Sequence, residues 1–67
     1  MNVVVNGDAR DVHEGATVSD LLRDLGVTDA RGVAVARNGD VVVRSQWEAV
    51  QLDNDDEVEV LHAVQGG

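Results

Sequence analysis

The sequence has no cysteine, no proline and no lysine, and its one aromatic residue is Trp47. Without cysteine there is no disulfide, no thiolate metal site and no cysteine nucleophile. That absence fits a reducing, intracellular compartment, where disulfides are rare. Without lysine, no side-chain amine can form a Schiff base or accept an acyl group. No apolar run approaches the ~20 residues of a membrane span. The opening residues MNVVVNGDAR lack the charged start and long apolar stretch of a signal peptide. The protein is therefore expected in the cytoplasm, away from membranes.

Positive charge is also scarce. Five arginines stand against thirteen acidic residues, a formal net charge of −8. Nucleic acid is a poor partner for such a chain, because phosphate binding rests on Lys and Arg neutralising charge. An acidic surface speeds encounter with basic proteins, and it also keeps a small domain soluble.

What remains is enough for one small domain. The 67 residues are 43% hydrophobic, mostly Val, Leu and Ala, which suits a folded core rather than a disordered segment. Met1 to Asn6 reads as a strand around Val3, Val4 and Val5. Asn6-Gly7 is a favoured two-residue hairpin turn, since both residue types tolerate positive φ. Ala9 to His13 is the returning strand. Thr17 has the features of a helix N-cap, with Asp20 as its capping-box partner. Val18, Leu21, Leu22 and Leu25 form one apolar helix face, and Gly26 sits where a left-handed C-terminal residue is wanted. Gly32 to Arg37 and Val41 to Arg44 form a second hairpin around Asn38-Gly39. Trp47 and Leu52, in an irregular stretch, are expected to plug one end of the core. Asp53 to Asp56 is a solvated turn, and Glu57 to Val64 is the last strand. The order β-β-α-β-β-β predicts an α+β fold, a mixed sheet packed on one main helix. The folded domain is expected over residues 1–64, with 65–67 as a flexible tail that has nothing to pack.

The side chains offer no active site. Ser19 and Ser45 lack any His-Asp pattern. His13 and His62 have no metal-binding spacing and read as ordinary strand residues. The run Asp53, Asp55, Asp56 and Glu57 lacks the glycine and distal glutamate of a calcium loop. No metal site is expected. By elimination the chemistry falls on the C-terminal Gln65-Gly66-Gly67. Two terminal glycines arise by chance at roughly 0.5%, taking Gly at about 7% per position. These two follow a strand directly. Without side chains they can enter a narrow channel and let backbone lie close to a nucleotide. Four extended residues reach ~13 Å. A carboxylate becomes an acyl donor once adenylation converts its oxygen into a leaving group, with ATP and metal positioned by a partner.

The chain resembles the small sulfur carrier proteins of thiamine biosynthesis, the ThiS family of ubiquitin-like β-grasp proteins. The resemblance runs through Asn6-Gly7 and Gly15-Ala16-Thr17-Val18 into Leu21, Leu22 and Leu25. It continues through Val33-Ala34-Val35-Ala36, Asn38-Gly39, Val43-Arg44 and Trp47. It closes on Asp56-Glu57-Val58-Glu59-Val60 and Ala63-Val64-Gln65-Gly66-Gly67. It implies a β-grasp fold of about five strands with the first and last strands side by side at the centre. It implies a protein carrier rather than an enzyme. An E1-like adenylyltransferase of ThiF type would adenylate the Gly67 carboxylate with ATP, so the carrier itself binds no cofactor. Sulfur from a cysteine desulfurase relay would then leave a thiocarboxylate, and a ThiG-type thiazole synthase would consume it. Gly67 is the covalent site; Gly66 and Gln65 thread the tail. The free carrier is expected to be a monomer. Arg37 departs from the pattern, standing where an apolar strand residue is expected; its stem can cover the sheet edge.

Strand alternation adds a docking surface. If Val58, Val60, Val33 and Val35 face the helix, then Ala34, Ala36, Leu61 and Ala63 face outward. An apolar strip beside the tail suits a partner. Three other functions share the pattern: a small subunit of molybdopterin synthase, a carrier for cysteine synthesis or tRNA thiolation, and a noncatalytic β-grasp binding module.

Overall fold

The computed structural model describes residues 1–63 of the chain. Its elements are β1 (Asn2–Val5), β2 (Asp8–Asp11), α1 (Val18–Asp24), β3 (Val33–Arg37), β4 (Asp40–Val42), a 3-10 turn over Arg44–Gln46, and β5 (Glu57–His62). The strands form a single sheet in the order β2-β1-β5-β3-β4. β1 and β5 are parallel; the other neighbours are antiparallel. This is the expected β-grasp fold, with the last strand in the middle and the first strand beside it.

Local chemistry explains the elements. Asn6 and Asn38 take φ of 50°, and Gly7 and Gly39 take 86°. These are the paired left-handed residues of a type I′ hairpin turn, whose twist matches the strands it joins. The Thr17 hydroxyl accepts from the Asp20 amide at 3.1 Å, and the Thr17 amide donates to the Asp20 carboxylate at 3.0 Å. The capping box is therefore complete. At the other helix end, Gly26 at φ 82° donates to the Arg23 carbonyl and Val27 donates to that of Leu22. That pair of bonds is a Schellman close.

A seven-residue helix is too short to hold alone. It is held by burying Val18, Leu21 and Leu22 against Val3, Val5, Val35, Val58 and Val60. Trp47 and Leu52 are buried in the same core, so their expected plugging role holds. Their segment also serves the helix start: the Val50 and Trp47 carbonyls accept from the Val18 and Ser19 amides. These are two of the amides that a helix leaves without internal partners.

Several boundaries differ from expectation. β4 stops at Val42 because Val42 is the last residue paired with β3. Its carbonyl also takes the Trp47 indole N–H at 2.8 Å, and the chain coils at Arg44. β2 stops at Asp11, so His13 is not a strand residue. It lies in the loop with its imidazole 3.5 Å from the Asp20 carboxylate. The turn at 53–56 exists, but it is not wholly solvated: Asp56 is only 6% exposed. No helix in the described part is long and apolar enough to cross a membrane.

Candidate functional site

The candidate site is the far end of β5 and the sheet surface around it. β5 inserts Val58 and Val60 into the core and turns Glu57, Glu59 and Leu61 to solvent. Across the β3 side, Leu61 pairs with Ala34 and Glu59 with Ala36. Leu61 is 61% exposed. Ala34 and Ala63 are exposed and Ala36 is half-buried. The predicted strip is thus brought together on the outward face. Gln65, Gly66 and Gly67 lie outside the described residues, as does Val64.

The strip is wider than sequence reasoning gave it. Val41 pairs with Ala36 across β4 and is 75% exposed. A signal for it was present. The Asn38-Gly39 turn sets Arg37 opposite Asp40, and one more step sets Ala36 opposite Val41. Glu57 and Glu59 sit among these apolar groups, so the surface is apolar and acidic together.

β5 is fixed at its start by a charge cluster. The Asp56 carboxylate accepts from Arg37 Nε at 2.7 Å, Asn38 Nδ2 at 2.9 Å and the Asp53 amide at 2.7 Å. Arg37 also reaches Asp53 at 2.8 Å. Burial pushes the Asp56 carboxyl up, but the Asp53 amide, the Asn38 amide and the Arg37 guanidinium outweigh it. The group is held below the usual carboxylate value. Hydrogen bonding to Asp56 likewise raises Arg37 above its ordinary value. Arg37 therefore does more than cover the sheet edge with its stem, and the acidic run reads as a structural cluster. Among the described residues no group of three His, Asp or Glu is arranged to hold a metal ion.

At its far end β5 outruns β1. The parallel ladder proceeds from the Val4 amide on the Asp56 carbonyl to the Asn6 amide on the Val58 carbonyl, at 2.8 and 2.9 Å. The next rung would use the Asn6 carbonyl, but the hairpin turn carries that backbone away. The Asn6 side chain replaces it. Its Oδ1 accepts from the Val60 amide at 2.9 Å and its Nδ2 donates to the Val60 carbonyl at 3.1 Å. On the other flank the Ala63 amide donates to the Gly32 carbonyl at 2.6 Å.

A family model described as the ThiS family matches residues 3–67. Among solved structures, the chain is similar to a crystal structure of thiamine biosynthesis protein ThiS from Geobacter metallireducens. The two are 38% identical, with TM-score 0.84 and full coverage of both chains. A solution NMR structure of a thiamine biosynthesis protein from the same organism gives 38% identity and TM-score 0.82, covering all of this chain and 88% of the other. Among curated proteins, the chain is 39% identical to a thiazole synthase of Paramagnetospirillum magneticum and 40% identical to one of Magnetococcus marinus. All of this chain is covered, and it spans 20% of each relative's length.

Proposed function

Because the chain belongs to the ThiS family, we propose that it is a sulfur carrier of thiamine biosynthesis, with the Gly67 carboxylate as the group that carries sulfur. The observation that carries this reading is that the family match runs through to Gly67 and so includes both glycines.

In this reading an E1-like adenylyltransferase supplies the chemistry that the carrier lacks. A Gly67 carboxylate oxygen attacks the α-phosphorus of ATP and pyrophosphate leaves. The terminal sulfur of a persulfide, delivered through a cysteine desulfurase relay, then attacks the acyl carbon and expels AMP, and a thiol reductant cleaves the S–S bond of the resulting acyl disulfide. The product is a thiocarboxylate. Gln65 and Gly66 thread Gly67 into the partner, and the absence of side chains on the glycines lets the backbone approach the nucleotide.

A thiazole synthase is the proposed consumer. In the two curated relatives a stretch similar to this chain forms one fifth of a protein named thiazole synthase. Joining a donor to its acceptor raises their effective concentration without any new contact. Where carrier and synthase are not joined, recognition falls to a surface. The strip of Leu61, Ala63, Ala34 and Ala36, with Val41 at its margin, is the proposed docking surface.

Intact mass tests the reading. The protein is incubated with ATP, a cognate adenylyltransferase and a sulfur source. Exchange of one C-terminal oxygen for sulfur is expected, and deletion of Gly67 should abolish it. An unchanged mass with a partner of proven activity sinks the proposal. A thiamine requirement in cells lacking the carrier separates this pathway from molybdopterin, cysteine or tRNA sulfur transfer.

A further inference from the structure

We infer that Asn6 is a positioning residue for the carrier tail: its side-chain amide fixes the end of β5 from which residues 64–67 depart. This inference rests on the sulfur-carrier reading and adds to it a residue remote in sequence from the tail.

Among the described residues, Val60 is the last on β5 that is hydrogen-bonded from the β1 side. The β1–β5 pairing covers only Val4↔Glu57 and Val5↔Val58. Beyond it, both backbone groups of Val60 on that side are taken by the Asn6 amide. Remove the amide and the end of β5 is held from one side alone, by Val35↔Val60, Ala34↔Leu61 and Val33↔His62 on β3 and by the Ala63 amide on the Gly32 carbonyl. The strand end is then free to swing about that seam. Freedom at Val60 adds to whatever freedom the following residues have, because they are joined to that strand end. Placement of the reacting carboxylate is sensitive to such displacement: a shift of about 1 Å can cost ~100-fold in rate. Docking is affected less, since Ala34, Ala36 and Val41 lie on β3 and β4, outside the strand end that moves.

Asn38 supplies a matched control. It has the same turn position and the same φ of 50°. Its Oδ1 likewise replaces a ladder carbonyl by accepting from the Glu57 amide at 2.9 Å, and its Nδ2 binds Asp56. It acts at the start of β5, far from the tail. Glycine at either site keeps the turn and deletes only the amide.

The experiment measures carrier-dependent pyrophosphate release by the adenylyltransferase for wild type, Asn6→Gly and Asn38→Gly, each well below its melting temperature. Asn6→Gly is expected to lose about tenfold in kcat with KM for the carrier little changed. Asn38→Gly should match wild type in both. Amide exchange at Val60 should quicken in Asn6→Gly alone. Equal kcat for the two glycine variants overturns the inference. If Asn6→Gly is too unstable to assay, Asn6→Asp keeps the acceptor for Val60 and loses the donor; wild-type kcat in that variant overturns the inference too. Failure of the wild-type carrier to react at all would instead overturn the sulfur-carrier reading, and the exchange experiment would still decide whether Asn6 fixes the strand end.

Discussion

β5 begins in a charge cluster around the buried Asp56 and ends against a neutral side-chain amide. At its start, Asp56, Arg37, Asp53 and Asn38 bind one another across the β3–β4 turn. At its end, Asn6 alone bridges to Val60 from the β1–β2 turn. The two turns share the dipeptide Asn-Gly and the same φ values. Identical local chemistry is therefore put to unequal tertiary use. One asparagine joins an ionic network that anchors the strand, and the other guides a strand end that is otherwise exposed. The difference shows that a turn motif fixes its own backbone while its neighbours decide what its side chain does.

The contrast can be broken most forcefully at the charged end. Asp56→Ala leaves Arg37 without its buried partner and Asn38 without an acceptor. A loss of about 3 kcal/mol is expected, read by urea unfolding, a large share of the roughly 3–10 kcal/mol available to a chain of this size. A loss within 0.5 kcal/mol, to use the roughly ±0.5 range of ordinary surface changes, would mean that the network is ornamental.

Acid should expose the same anchor without mutation. The folded Asp56 carboxyl lies below its ordinary value, so its stabilisation is present above the unfolded value of about 3.9 and disappears as pH falls through the folded one. Thermal unfolding of wild type should therefore weaken in that window, and Asp56→Asn should show a shallower decline there. Parallel curves would remove Asp56 from the account.

Smaller effects sharpen the comparison. Asn38→Gly and Asn6→Gly each delete a pair of side-chain hydrogen bonds, so each should cost about 1–2 kcal/mol. Near-equal stability losses with unequal effects on the tail would separate anchoring from guidance. Smallest of all, Leu61→Asp should change stability by less than about 0.5 kcal/mol, as at other exposed sites, while weakening binding to the adenylyltransferase. Unchanged affinity in a titration would remove Leu61 from the docking surface.

The contrast also marks what could be read without coordinates. Thr17 with Asp20, Gly26, and both Asn-Gly pairs act within a few residues of themselves, and each does what its spacing predicts. Alternation likewise put Val58 and Val60 inside and Leu61 outside. The roles of Asn6 and Asn38 were illegible because turn formation already accounts for an asparagine there. Nothing nearby reveals a bond to a strand 54 residues away. Asp56 misled for a similar reason: in a run of acids it resembles its solvated neighbours, and its burial is made tolerable by the Asp53 amide together with Asn38 and Arg37, 18 and 19 residues earlier. The neighbouring of β1 and β5 came from family resemblance, since periodicity carries no strand order.

The central place of β5 has a consequence for how the protein is made. A ribosome releases β5 after every other described element, yet both hairpins need it as their shared neighbour. At roughly 5–20 residues per second, the first hairpin spends seconds in the growing chain before Val58 and Val60 can cover Val3 and Val5. Folding is therefore deferred until synthesis reaches the strand that leads into the tail. A chain cut short before Glu57 would leave both hairpins without a core, and the cell would hold no folded carrier missing its final strand.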